Sequence, residues 1–233
     1  GVGDHVLVGT SQGNLLRSTN GSTFAKVDTG YGTDQNDIDC PVANTCYAAA
    51  GNDALLASTD DGATWTRRPT GTDGVGFYGV DCVDPNTCWL TGGSGELRKT
   101  TDGGLTWTTQ NGNIPAQVSF NKVRMLDALN GYAVGCSNFD SASGTCKGSG
   151  AIYRTTNGVT WTALQSFATT ELTDITIFSM TDVFVTEWNG RVWHYAGATL
   201  PPGPNDPTRT PTPSATPTAT ATKFSPSAYS RMP

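Results

Sequence analysis

The chain has 233 residues, a formal net charge of −6 and only 15% charged residues, with 28 glycines and 13 prolines. That balance, without any basic patch, excludes nucleic acid as a partner, and no apolar run is long enough for membrane insertion. Val, Thr and Trp recur in short runs between glycines, which fits many short strands and tight turns, and no stretch keeps a helical period. The opening residues, GVGDHVLVG, are not a signal peptide, so the expectation is a mature or trimmed chain.

From the amino end, the first predicted element is a strand at Val6 to Gly9, followed by the turn-like run Ser18-Thr-Asn-Gly-Ser-Thr-Phe24. Asn20-Gly-Ser22 matches an N-glycosylation triplet, but it sits inside that turn. Next comes a unit from Asn36 with four predicted strands: A at Asp37 to Cys40, B at Cys46 to Ala50, C at Ala54 to Ser58 and D at Thr64 to Arg67. The connection from C to D is Ser58-Thr-Asp-Asp-Gly-Ala-Thr-Trp65. Asp60 can accept from nearby backbone amides, and Gly62 can take a positive φ. Asp34, Asp37 and Asp39 lie close together but not at the spacing of a calcium loop, and a solvated turn is the better reading.

A third unit, from Tyr78, aligns with the second without a gap: Cys40, Cys46 and Trp65 map onto Cys82, Cys88 and Trp107. The offset is the size of a four-stranded propeller blade. A fourth unit carries Met125 and Gly131 where the cysteines stood, and a shortened turn from Thr155 through Asn157 to Trp161. A last unit runs from Thr173 through Asp182–Trp188 to Arg191–Tyr195 and has no such turn. The first unit therefore lacks strand A and the last lacks strand D. Eighteen strands are predicted, in about five blades of which the first and last are incomplete, with at least one unpaired strand edge.

Six cysteines fall in three close pairs: Cys40 with Cys46, Cys82 with Cys88, and Cys136 with Cys146 in an inserted loop. Local pairing of an even count fits disulfides and an extracellular, secreted or cell-surface location better than zinc, since the only histidines are His5 and His194. Each bridge closes a short loop, worth on the order of 2–3 kcal/mol.

The turn S/T-x-D-x-G-x-T-W resembles the Asp-box, or BNR repeat, of sialidases, some xyloglucanases and photosystem II assembly propellers. Ser58, Asp60, Gly62, Thr64 and Trp65 match it, as do Thr100, Asp102, Gly104, Thr106 and Trp107. The resemblance implies an all-β propeller over residues 1–200, in which the boxes are structural turns on the rim. Trp65, Trp107 and Trp161 occupy the repeat position and are expected in the core, as is Trp89.

Residues 201–233 form a Thr/Pro-rich tail, extended and polyproline-like, from which a spacer of about sixteen residues could span roughly 50 Å. Thr218, Thr220 and Thr222 alternate with alanines before Phe224, a strand pattern, and Phe224 and Tyr229 are candidate anchors. The expected function is a non-catalytic secreted structural protein. Its tail docks on a neighbouring copy as an added strand and builds a filament or surface layer. The alternative is a glycan-binding or adhesive propeller, held to a cell-surface polymer by an O-glycosylated Thr/Pro linker. Trp188 and Trp193, beside Glu187 and Arg191, are its candidate glycan contacts, although packing near an irregular closure suits them as well. No cofactor is called for. A glycosidase is disfavoured: Glu96, Glu171 and Glu187 are the only glutamates, and Arg17, Lys99 and Arg154 share one repeat position instead of converging.

Overall fold

A computed structural model describes residues 5–72, 74–164, 166 and 168–196, all of it strands, turns and loops. The first sheet holds β1 (Val6–Gly9), β2 (Asn14–Ser18) and β3 (Ala25–Asp28). The second holds β4 (Gln35–Val42), β5 (Thr45–Ala50), β6 (Ala54–Ser58) and β7 (Thr66–Pro69). The third holds β8 (Phe77–Cys82), β9 (Cys88–Gly92), β10 (Leu97–Thr100) and β11 (Thr108–Thr109). The fourth pairs β12 (Ser119–Met125) and β13 (Gly131–Cys136) with β16 (Gly150–Thr155) and β17 (Thr162–Leu164). Between them a separate hairpin, β14 (Phe139–Asp140) and β15 (Thr145–Cys146), fills the inserted loop. The last sheet holds β18 (Leu172–Ser179), β19 (Asp182–Glu187) and β20 (Val192–Ala196).

Every pairing is antiparallel between neighbours in the chain, apart from the step across the hairpin. The eighteen blade strands are those expected from the repeat, and the hairpin adds two more. β4 packs on β8, β8 on β12 and β12 on β18, so the first strand of each full blade lies innermost and the sheets fan around an axis.

Strand B is the centre of each internal blade and is covered on both faces. Every residue of β9 and of β13 is buried. Tyr47, Ala49, Leu55 and Ala57 of the second blade pack on Phe77, Val80, Cys88 and Leu90 of the third. Trp89 and Leu97 then face Phe120, Val123, Tyr153 and Trp161 of the fourth. Tyr132, Val134 and Ile152 face Leu172, Ile175, Val183 and Val185 of the last. The hydrophobic core is thus a series of blade-to-blade layers rather than one central mass.

Strand D starts later than expected, at Thr66 instead of Thr64. The reason is local: the amide of Thr64 donates to Asp60 Oδ1 (2.8 Å) and its hydroxyl to Asp60 Oδ2 (2.6 Å), which holds Thr64 in the turn. Among the described residues, β1 has no partner on its inner edge and β20 none on its outer edge. The tail positions Thr218, Thr220, Thr222, Phe224 and Tyr229 lie outside the described residues.

Candidate functional site

Three disulfides join Cys40 to Cys46, Cys82 to Cys88 and Cys136 to Cys146. The first two tie strand A to strand B at one end of a blade. The third fastens the β14–β15 hairpin to β13 instead.

The box turns form a repeated local network. Ser58 Oγ donates to Asp60 Oδ1 (2.8 Å) and accepts from Gly62 N (2.8 Å). Thr100 Oγ1 does the same with Asp102 Oδ1 (2.7 Å) and Gly104 N (2.9 Å), and Thr106 N and Oγ1 donate to Asp102 (2.9 and 2.6 Å). The threonine hydroxyls and amides hold the Asp60 and Asp102 carboxyls down at about 2. Asn157 accepts from Thr160 N (2.8 Å) in the same way. Asn20 Oδ1 accepts from Ser22 N and Thr23 N, and its amide nitrogen donates to Thr23 Oγ1 (3.0 Å). The turns also receive the preceding blade: Arg17 Nε donates to Asp61 O (2.9 Å), Arg68 to Gly103 O, and Lys99 Nζ to Gly158 O (3.3 Å).

The tryptophans divide. Trp89 and Trp161 are buried, and Trp65 and Trp107 are half-buried against the core layers. Trp193 packs on the last core layer and donates its indole N–H to Glu187 Oε2 (3.1 Å). Glu187 is buried and accepts from the amides of Thr169 (2.6 Å) and Thr170 (3.1 Å). Burial works against its charge, but those amides and the Trp193 indole outweigh it and hold the carboxyl below its ordinary value. Trp188 alone of the two candidate contacts stands in solvent, 75% exposed.

The arrangement that sequence reasoning missed lies along the axis. Asp39 Oδ2 accepts from Cys82 N (2.8 Å), and Asp81 Oδ2 accepts from Met125 N (2.7 Å). Asp37 Oδ2 accepts from Val80 N (3.0 Å), and its other oxygen meets Lys122 Nζ, two blades away. Arg124 Nη1 lies 3.1 Å from Asp81 and 3.7 Å from Asp37. The inner strands of the second and third blades thus each cap the backbone of the next with a carboxylate. Burial pushes the Asp81 carboxyl up to about 7, against the pull of the Met125 amide and Arg124. Burial raises Asp39 as well. Asp34 is elsewhere, accepting from Gln12 N (3.1 Å), so the three aspartates do not converge on one point. The signal was present in the repeat: Asp39, Asp81 and Arg124 share one position, and Asp37, Gly79 and Lys122 another, so both positions turn from acidic in the second blade to basic in the fourth.

A cleft of 140 Å³ lies between the first and second blades, lined by His5, Leu7, Ile38, Asp39 and Asp61.

Fan-like sheets, inner strands along an axis and turn boxes on the outer rim define a β-propeller. Solved structures bear this out. YCF48 from Cyanidioschyzon merolae superposes with a TM-score of 0.61 at 16% identity, over 86% of this chain and 66% of that one. A YCF48 bound to D1 peptide gives 0.50 at 16%, over 82% and 63%. The GH74 xyloglucanase from Xanthomonas campestris gives 0.62 at 15%, over 82% and 34%. The chain thus spans about two thirds of the YCF48 structures and a third of the xyloglucanase, and the likeness concerns the fold alone. No family model matches the sequence. No curated protein matches it either.

Proposed function

We propose that this chain is a non-catalytic extracellular scaffold that self-associates, with its C-terminal tail added as a strand to a neighbouring subunit. The observation that carries this reading is the outer edge of β20, which has no strand D among the described residues, whereas β6, β10 and β16 each have one. Such an edge is a template for an added strand. The strands that fill this place elsewhere are short, exposed and threonine-bearing: Thr66–Pro69, Thr108–Thr109 and Thr162–Leu164. Thr218-Ala-Thr-Ala-Thr-Lys-Phe224 has the same character. A neighbour of this fold, YCF48, is known with a peptide bound. The non-catalytic part is supported by the carboxylates: Asp37, Asp39, Asp81 and Glu187 are all engaged by backbone amides. A glycosidase needs a pair about 5–10 Å apart and open to a sugar. The extracellular part is supported by three disulfides.

Electron microscopy of the intact chain beside one ending at Leu200 tests it. Filaments or sheets from the first and single particles from the second are expected. Single particles from both would remove the tail from any role in assembly. The exposed Trp188 favours one second reading, a glycan-binding module on a tether. A glycan array on which the protein binds and the Trp188→Ala variant does not would support it.

A further inference from the structure

The last blade carries, at its outer face, a residue whose counterparts in the second, third and fourth blades are buried by the blade that follows. The register identifies the position. Tyr47 stands opposite Ala57, Trp89 opposite Lys99, Tyr132 opposite Arg154, and Phe184 opposite His194. Tyr47, Trp89 and Tyr132 are all covered by the following blade, and Tyr47 and Tyr132 donate their hydroxyls to its Pro85 and Met180 carbonyls. Among the described residues Phe184 has no such cover, and it is half-exposed. Phe178 beside it is 66% exposed, edge-on at 6.0 Å, and His194 stacks on it at 4.0 Å. Along β19 one face is buried and the other open, whereas the central strands of the inner blades are buried on both.

The first blade has the opposite half. Val6, Val8 and Leu16 hold the register of Cys46, Ala48 and Leu56. Those three are buried in the second blade. Here Val8 is 43% and Leu16 36% exposed, since no blade precedes them among the described residues. Leu7, on the other face, meets Gly62 of the second blade as an internal residue should.

We infer that these two faces are the halves of one more blade-to-blade interface, and that a second copy of this chain completes it head to tail. Repetition makes them complementary: the face of Phe184 is built like those that receive a following blade, and the face of Val8 like those that are received. The polar contacts continue too. Arg17 and Lys99 reach carbonyls in the next blade's turn. His194 holds their position, and the first blade's turn offers Gly21 as the counterpart of Gly158. Such a contact is heterologous, so it propagates or closes into a ring. The inference rests on the self-association in the proposed function but not on the tail.

Sedimentation of the 233-residue chain and two variants tests it. One variant carries Phe178→Asp and Phe184→Asp, the other Val8→Asp and Leu16→Asp, with near-ultraviolet circular dichroism as the folding check. Phe178→Ser and Leu16→Lys replace any that fail to fold, since both sites are open to solvent. The expected result is association of the parent chain, monomers for each variant alone and a dimer, without larger species, when the two are mixed. That pattern, retained in a chain ending at Leu200, would uphold the faces and dismiss the tail. Variants that associate as the parent does would overturn the faces and leave the tail reading standing. A parent chain that stays monomeric at all concentrations would overturn both.

Discussion

At the scale of single residues, the aspartates carry two opposite roles. Asp60 and Asp102 on the rim are held near 2 by threonine hydroxyls and amides, so they contribute stability above the unfolded value of 3.8 and lose it as pH falls towards 2. Asp60→Ala is expected to cost about 1–2 kcal/mol in urea unfolding at neutral pH, from lost capping of the turn. Asp81 on the axis runs the other way. Its folded value of about 7 lies above 3.8, so its contribution is complete below 3.8 and is lost as pH rises through 7. Between those limits one proton supplies up to about 1.4 kcal/mol per pH unit. Thermal melts of Asp81→Asn from pH 4.5 to 8 should show a slope smaller than the parent's by an amount of that order. An unchanged slope would place the titration elsewhere. The rim aspartates were readable in the sequence, because a turn is local and its donors lie within four residues. Asp81 was not, since its partners Arg124 and Met125 are more than forty residues away.

At the scale of strands, the repeat gave the number and order of elements because each hairpin closes locally. The start of strand D was misplaced by two residues, where a hydrogen bond to a side chain displaced one to the neighbouring strand. For the β14–β15 hairpin the sequence shows only an inserted loop closed by Cys136 and Cys146. The two short bridges act at this level, each closing the A–B connection of its blade. Replacing Cys82 and Cys88 with alanine should cost about 2 kcal/mol and leave the fold intact, as read by urea unfolding and near-ultraviolet circular dichroism. By sequence Trp193 fits either a sugar platform or a packed residue. It packs because Glu187 is buried beneath it and accepts its indole N–H. No spacing rule in the sequence conveys which indole turns inward, so Trp188 and Trp193 looked alike there.

At the scale of the molecule, stability is a series of interfaces, and among the described residues the end blades have one each where inner blades have two. Hydrogen exchange should therefore reach β1–β3 and β18–β20 first and β5, β9 and β13 last, with the end blades gaining protection as concentration rises if copies stack. Uniform protection would contradict a layered core. Open end faces were hinted at by the missing strands A and D. Their apolar lining depends on which residues of each repeat a neighbouring blade covers, and the spacing of the repeat does not convey that. The axis has a consequence of another kind. A side chain on Gly79 would meet the Lys122 backbone at 3.0 Å, and Asp37 reaches Lys122 across that glycine. Gly79 therefore works as a window through the third blade: it lets the second blade hold the fourth directly, so that one ion pair ties three blades together. A larger residue there would crowd Thr91 and the Lys122 backbone and shut it.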